Sequence, residues 1–178
     1  MKKIIAFGAS TSSKSINQQL AKYASSRLSN VEVDFLNLND FEMPIFNVDR
    51  EKNSGVPKEA QDFKKYVREA DGILVSLAEH NGSYSAAFKN IFDWASRVEK
   101  DMWQNKAMFL LATSPGKRGG QSVLAHAVKD FPFRGGQVIA SFSLPSFGEN
   151  FSLEDGITED GLKTEFEKQL ASFQESLK

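Results

Sequence analysis

Short runs of branched apolar residues alternate in this chain with segments whose apolar residues recur at helical spacing. The apolar runs, which predict buried β-strands, cover residues 4–9, 31–36, 72–77, 107–113 and 138–142. The segments between them predict helices, as do residues 158–178. Since right-handed crossovers cover both faces of a parallel sheet with helices, the alternation predicts a doubly wound five-stranded α/β sheet with strand order 2-1-3-4-5.

The length of the chain predicts one domain, residues 1–178. Residues 38–57 and 144–157 contain Pro, Gly and Asn without apolar periodicity, and they predict long loops inside that domain rather than linkers between domains. Ligands of such sheets bind beyond the carboxyl ends of the strands where the winding reverses, so the loops that begin at Ser10 and Ala78 should face the ligand.

Charge and cysteine content exclude several classes of function. A net charge of −1 gives no general attraction for nucleic acid or anionic membranes. The absence of cysteine excludes disulfides, a thiolate nucleophile and cysteine-ligated metals, and no metal site is predicted. The apolar stretch 4–7 is too short for a signal peptide, and no window reaches the roughly 18 apolar residues of a membrane span. We therefore expect a cytoplasmic protein that binds neither nucleic acid nor membrane.

The segment after the first predicted strand is rich in hydroxyl groups. Residues 10–15 read Ser-Thr-Ser-Ser-Lys-Ser and lead into the first helix. Hydroxyl donors, free backbone amides and the positive end of a helix dipole together suit a phosphate monoester. Helix capping alone would explain Ser15 but not the other hydroxyls. Because the loop lacks both the P-loop and the G-x-G-x-x-G pattern, we interpret it as a site for a mononucleotide phosphate.

Three later segments complete a family resemblance. Residues 78–85 read Ala-Glu-His-Asn-Gly-Ser-Tyr-Ser, residues 89–94 read Lys-Asn-Ile-Phe-Asp-Trp, and residues 114–120 read Ser-Pro-Gly-Lys-Arg-Gly-Gly. Together with the hydroxyl-rich loop, they resemble the NAD(P)H-dependent FMN reductases of the flavodoxin superfamily over residues 4–143. Those proteins carry Gly-Ser-x-Arg-x-x-Ser-x-Asn, Pro-Glu-Tyr-Asn-x-Ser, Lys-Asn-x-x-Asp-Trp and Ser-Pro-Gly-x-x-Gly-Gly. This chain has Ser12 in place of arginine, Ala78 in place of proline and His80 in place of tyrosine, while Lys14 supplies a nearby charge.

The resemblance implies a flavodoxin-like fold and one FMN bound without a covalent link. The residues expected near the phosphate are Ser10, Ser12, Ser15, Ile16 and Asn17. Those expected beside the isoalloxazine ring are Glu79, His80, Asn81 and Gly82. Those expected at its pyrimidine end, where glycine lets the backbone approach the ring, are Ser114, Pro115, Gly116, Gly119 and Gly120.

The resemblance further implies an oxidoreductase that passes a hydride from NADPH or NADH through FMN to a flavin, quinone, azo compound or similar acceptor by a ping-pong mechanism. No catalytic acid or base is predicted, since the protein only has to stack the two rings. Lys117 and Arg118 are open to two interpretations, a contact to the 2′-phosphate of NADPH or solvated surface. A homodimer or homotetramer is implied through the loop near residues 41–49. The alternatives are a flavodoxin-like electron carrier and a non-catalytic flavin-binding redox module.

Overall fold

The computed structural model describes all residues from 1 to 178. The strands, in chain order, are β1 (Lys2–Ala9), β2 (Val31–Phe35), β3 (Gly72–Leu77), β4 (Glu79–His80), β5 (Ser83–Tyr84), β6 (Lys106–Thr113), β7 (Gly136–Leu144), β8 (Phe151–Ser152) and β9 (Gly156–Ile157). The helices are α1 (Ile16–Ser26), α2 (Val48–Ser54), α3 (Lys58–Glu69), α4 (Ala86–Val98), α5 (Gln121–Asp130), α6 (Phe147–Asn150) and α7 (Asp160–Ser176). Short 3-10 helices cover Leu38–Phe41 and Phe131–Arg134.

Five strands form one parallel sheet in the order β2-β1-β3-β6-β7, which confirms the predicted topology. The winding reverses at β1, because the chain runs outward from β1 to β2 and then returns across it to β3. Ala9 pairs with Leu77, and Leu77 in turn pairs with Ala112. The carboxyl ends of β1, β3 and β6 therefore lie side by side at one edge of the sheet.

The two faces of the sheet carry separate apolar cores, because alternate side chains of a strand point to opposite faces. Phe7 of β1 packs in the core that contains residues of α3, α4 and α5. Ile4, also in β1, lies in the core that contains residues of α1 and α7. Helices on both faces thus bury the central strands, as expected for a doubly wound sheet.

The two segments predicted as long loops contain short regular elements, so that prediction was wrong in part. Residues 38–57 include a 3-10 helix and α2, whose cap Asn47 accepts a hydrogen bond from the Arg50 backbone N–H at 2.8 Å. Helix α2 buries none of its residues, and it therefore leaves no apolar periodicity in the sequence. Residues 144–157 include α6 and the two-residue strands of the β8–β9 hairpin.

The fifth strand of the sheet is longer than its apolar run. It was predicted at residues 138–142 and covers Gly136–Leu144. β7 is an edge strand with partly solvent-facing positions, and polar residues at 137, 141 and 143 shorten the apolar signal. None of the helices has the length and apolar character needed to cross a membrane.

Candidate functional site

A cleft of about 360 Å³ lies at the carboxyl edge of the sheet. Its walls come from loop 1 (residues 10–15) with the start of α1, from loop 2 (residues 78–85), and from loop 3 (residues 114–120) with the end of β6. The lining residues are Ser10, Ser12, Lys14, Ser15, Ile16, Asn17, Ala78, Glu79, His80, Thr113, Ser114 and Pro115. The structure therefore brings together nine of the fourteen residues predicted from the sequence. The other five predicted residues lie outside the lining: Asn81, Gly82, Gly116, Gly119 and Gly120.

Ala78 and Thr113 line the cleft and were not predicted as site residues. Ala78 directly follows β3, and Thr113 is the last residue of β6. Neither stands out in the sequence, because both continue apolar runs. The predicted strand order could have identified them. Ligands of such sheets bind beyond the carboxyl ends of the central strands, so the residues at those ends adjoin the ligand.

Loop 1 and the first turn of α1 contain backbone amides without an acceptor in the protein. Internal hydrogen bonds engage only part of the loop: the Ser12 N–H donates to Ser10 Oγ at 3.2 Å, and the Ser15 N–H donates to the Ser12 carbonyl at 3.1 Å. Ser15 caps α1 by accepting from the Gln18 N–H at 3.1 Å. The amides that have no acceptor within the protein are those of Thr11, Ser13, Lys14, Ile16 and Asn17. The loop thus combines amide and hydroxyl donors with a helix N-terminus, an arrangement that favours an anion.

Loop 1 lies where it does because Gly8 lets α1 approach β1. A Cβ at residue 8 would lie 2.5 Å from the Gln18 backbone nitrogen and 2.8 Å from the Asn17 carbonyl carbon. Any larger residue would push the first turn of α1 away from the end of β1. The glycine therefore brings the helix N-terminus to the cleft.

The side chain of Asn17 is directed into the protein. It is 4% exposed. Its Oδ1 accepts from the Ser76 hydroxyl at 2.7 Å and from the Thr113 backbone N–H at 3.0 Å. Its Nδ2 donates to the Thr113 carbonyl at 3.1 Å. Asn17 therefore offers the cleft its backbone amide, whereas its side chain joins α1 to β3 and β6.

Loop 2 is a β-hairpin, which the sequence interpretation missed. Strands β4 and β5 pair antiparallel, and Asn81 and Gly82 form the turn with φ angles of 52° and 75°. Positive φ at both central residues is typical of a type I′ hairpin turn, for which Asn-Gly is the preferred sequence. These two residues are exposed at the tip of the hairpin, and turn chemistry alone accounts for them.

Glu79 and His80 occupy different environments in this hairpin. Glu79 Oε2 accepts a hydrogen bond from the Val123 backbone N–H at 2.9 Å, so its carboxylate caps the first turn of α5. His80 is exposed at the rim of the cleft. The two predicted residues therefore differ: Glu79 caps α5, and His80 faces solvent.

Tyr84 anchors β5, the second strand of the hairpin, in the apolar core. Its ring packs against Phe88 and Phe131, and its hydroxyl is buried without a hydrogen-bond partner. Burial, and to a smaller extent the negative charge of Asp130, raise the pKa of Tyr84 above its usual value. The phenol therefore stays neutral at physiological pH.

Three carbonyl groups of loop 3 accept hydrogen bonds from the end of β7 and the residues that follow it. The Ser114 carbonyl accepts from the Phe147 N–H at 3.1 Å, and the Gly116 carbonyl accepts from the Ser146 N–H at 3.0 Å. The Gly119 carbonyl accepts from the Ser143 hydroxyl at 2.9 Å. The amides without an acceptor in the protein are those of Ser114, Gly116, Lys117, Arg118 and Gly120. Loop 3 consequently provides a second set of unpaired backbone N–H donors beside the cleft.

The glycines of loop 3 differ in whether the protein itself requires a residue without a side chain. Gly119 and Gly120 have φ angles of 55° and 75°, and a Cβ at Gly119 would lie 2.5 Å from Ser143 Oγ. Protein packing and backbone conformation are enough to require both residues. Gly116 has open space around it, because a Cβ at this residue would have its nearest neighbouring atom 4.0 Å away. Arg118, open to two interpretations from the sequence, donates to the Ser122 hydroxyl at 2.8 Å.

The Lys-Asn-x-x-Asp-Trp segment of α4 holds the loop that follows β2. Asn90 accepts from the Phe46 N–H at 2.9 Å, and its Nδ2 donates to the Met43 carbonyl at 3.1 Å. Trp94 Nε1 donates to the Pro44 carbonyl at 2.7 Å. Asp93 pairs with Lys89 one turn earlier on the helix surface. The contacts shown by this motif are therefore structural.

The chain is similar to redox enzymes of known families. The family model described as NADPH-dependent FMN reductase matches residues 2–149. The NADPH:quinone oxidoreductase of Arabidopsis thaliana is 34% identical over 92 residues, which are 52% of this chain and 45% of that protein. The 2-hydroxy-1,4-benzoquinone reductase of a Burkholderia species is 33% identical over 114 residues, which are 63% of this chain and 60% of that protein. The chain thus spans about half the length of these curated relatives.

Solved structures support the fold over the whole chain. A flavoenzyme NAD(P)H:(acceptor) oxidoreductase from Paracoccus denitrificans superposes with a TM-score of 0.79 at 22% identity, covering 99% of this chain and 97% of the other. The apo form of an NADH:FMN oxidoreductase superposes with a TM-score of 0.76 at 21% identity, covering 100% and 91%. At such identities the likeness establishes the flavodoxin-like fold alone.

Proposed function

The chain belongs to the NADPH-dependent FMN reductase family, and on this premise we propose that it binds one FMN in the cleft and transfers a hydride from NAD(P)H to a small-molecule acceptor. This membership agrees with the resemblance predicted from the three loop motifs. FMN and a nicotinamide donor are the cofactors that the family and its quinone-reducing relatives imply.

The observation that carries the proposal is the set of unpaired amides in loop 1 and in the first turn of α1. Ile16 and Asn17 lie in the first turn of α1, and their N–H groups have no acceptor within the protein. A phosphate monoester is nearly dianionic at neutral pH, and it gains hydrogen bonds and a favourable helix dipole at such a site. The hydroxyls of Ser10 and Ser12 and the ammonium of Lys14 add donors and charge from the same loop.

Loop 3 supports a flavin at this site for a related reason. Three of its carbonyls accept hydrogen bonds from residues 143–147, while five of its amides have no acceptor within the protein. The pyrimidine edge of a flavin carries carbonyl and ring-nitrogen acceptors, and it becomes more negative on reduction. Amide dipoles oriented in advance stabilise that charge at little reorganisation cost. A cleft of about 360 Å³ is within the range of roughly 300–1,000 Å³ of small-ligand sites.

Bound FMN would supply the hydride chemistry, accepting at N5 and passing reducing equivalents to the acceptor. The chain would bind the phosphate in loop 1 and orient the ring through loop 3, with the exposed His80 at the rim of the cleft. We assign no residue to proton transfer, because the Glu79 carboxylate is engaged by α5. With one cleft for both substrates, the donor leaves before the acceptor binds, which is a ping-pong sequence.

Quinones are the acceptor class that we propose, since the relatives named above are quinone reductases. Anaerobic reduction of the FMN-loaded protein tests this directly. We expect NADPH or NADH to bleach the flavin absorbance, and a benzoquinone to restore it with catalytic turnover. Loaded protein that NAD(P)H does not bleach would contradict the enzyme assignment, as an electron carrier or a non-catalytic flavin module would give that result.

A matched pair of substitutions in loop 1 tests the phosphate site. Ser12→Asp places a carboxylate among the unpaired amides, whereas Ser12→Asn introduces a side chain of the same shape without charge. We expect the aspartate variant to lose roughly 100-fold in FMN affinity, measured by fluorescence titration, because like charges repel and compete for the same donors. The asparagine variant should lose less than roughly ten-fold. Equal affinities of the two variants would remove loop 1 from the phosphate site.

A further inference from the structure

Both polar atoms of the Asn17 side chain are hydrogen-bonded within the protein. Oδ1 accepts from Ser76 and Thr113, Nδ2 donates to Thr113, and the residue is 4% exposed. The family pattern nevertheless ends its first loop on this asparagine. The backbone N–H of Asn17 has no acceptor within the protein, and any residue except proline supplies that group. An asparagine differs from other residues at this position in the groups that its side chain joins.

The groups that Asn17 joins are the starting points of the other two loops. Thr113 directly precedes Ser114, the first residue of loop 3. Ser76 lies two residues before Ala78, the first residue of loop 2. Thr113 also donates through Oγ1 to the Leu144 carbonyl at 2.7 Å, at the end of β7. Asn17 thus connects the first turn of α1 to the ends of β3 and β6, and through Thr113 to β7.

The polar atoms in this network are buried. Ser76 is 0% exposed and Thr113 is 1% exposed. Loss of the Asn17 amide would leave the Ser76 hydroxyl and both backbone groups of Thr113 without these partners, and an unsatisfied buried polar group costs more than the bond contributed. The end of β6 would then shift or admit water, which would move loop 3 relative to loop 1.

We propose that Asn17 is a positioning residue that sets the spacing between loop 1 and loop 3, and that its contribution to FMN binding is independent of the phosphate. The inference rests on the proposed FMN site. Residues of loop 1 that contact the phosphate contribute only when the ligand carries one. A residue that places loop 3 contributes equally to any ligand with an isoalloxazine ring.

Riboflavin separates these roles, because it lacks the phosphate and keeps the ring. Dissociation constants for FMN and riboflavin are measured by fluorescence titration for the wild type, Asn17→Ala and Ser76→Ala. Ser76→Ala removes one bond of the network at a buried residue that does not line the cleft, and it keeps the test usable if Asn17→Ala fails to fold. We expect each variant to lose affinity for the two flavins by the same factor, roughly ten-fold for Asn17→Ala.

Ser12→Asp is the matched control, and it should weaken FMN binding while leaving riboflavin binding close to wild type. Selective loss of FMN affinity in Asn17→Ala would overturn the inference and assign the side chain to the phosphate. Unchanged affinity of Asn17→Ala and Ser76→Ala for both flavins would also overturn it. A wild-type protein that binds neither flavin would instead refute the proposed function, and the inference with it.

Discussion

Gly119 and Gly116 lie three residues apart in loop 3 and differ in what a side chain would meet. Gly119 has a φ of 55°, and a Cβ there would lie 2.8 Å from the carbonyl carbon of Leu144. A Cβ on Gly116 would have its nearest neighbouring atom 4.0 Å away. Packing therefore requires glycine at residue 119 and places no such constraint on residue 116.

Alanine substitution distinguishes these two glycines. We expect Gly119→Ala to lower the free energy of unfolding by about 1–3 kcal/mol, because it combines a left-handed backbone with a backbone clash. Gly116→Ala should change it by less than about 1 kcal/mol. Urea denaturation of the two variants without ligand measures both values. Equal destabilisation would show that loop 3 is not packed against β7 as described.

At single positions, the sequence predicted hydroxyl and amide donors better than side-chain directions. Ser10, Ser12 and Ser15 line the cleft as predicted, because a polar run after a central strand has to lie at the carboxyl edge. The inward direction of Asn17 was not predictable, since it depends on Ser76 and Thr113, which are 59 and 96 residues away along the chain.

The β4–β5 hairpin and α5 are joined by one carboxylate. Glu79 projects from the hairpin to the Val123 N–H, in the first turn of a helix whose own cap, Gly120, has no side chain to serve it. An acceptor with negative charge suits this position because of the unpaired amides and the helix dipole. The contact holds loop 2 against the helix that follows loop 3.

Truncation of this carboxylate should loosen α5. We expect Glu79→Ala to lower the free energy of unfolding by about 1–2 kcal/mol, as the loss of a helix cap does, and Glu79→Gln to cost less because the amide oxygen still accepts. Urea denaturation measures the effect, with Glu154→Ala, at an exposed position, as the control. If the two alanine variants were equally stable, the cap would make no contribution.

Elements that bury an apolar face were predictable, and elements set by local hydrogen bonds were not. The five long strands and the helices α1, α3, α4 and α7 show the required periodicity. The short helix α2 buries no residue, and the β4–β5 hairpin has only two residues in each strand. Asn81-Gly82 was the available signal for the hairpin, because that pair is typical of a two-residue turn.

Across the whole molecule, the carboxyl and amino edges of the sheet carry different polar groups. The cleft lies at the carboxyl edge of the sheet, and ion pairs cluster at the amino edge, where Lys3 Nζ lies 3.0 Å from Asp34. Asp71 Oδ2 accepts from the Lys3 backbone N–H at 2.8 Å. This hydrogen bond, followed by the charge of Lys2, holds the pKa of Asp71 below its usual value. The carboxylate therefore binds a proton more readily in the unfolded chain than in the folded protein.

The sign of this shift predicts the effect of acid. A carboxylate with a lowered folded pKa stabilises the protein above its unfolded pKa of about 3.9, and that stability is lost as pH falls through the folded value. We expect Asp71→Asn to be less stable than wild type at pH 7, with the difference shrinking below about pH 4. Urea denaturation across this range tests it, and FMN affinity should not change. A stability difference independent of pH would contradict the assignment.

A crystal structure of the protein with FMN tests the central claim most directly. We predict that the phosphate lies within hydrogen-bonding distance of the backbone amides of Ile16 and Asn17, with the isoalloxazine ring beside loop 3. FMN bound elsewhere, or bound in the cleft with its phosphate directed away from loop 1 into solvent, would contradict the account.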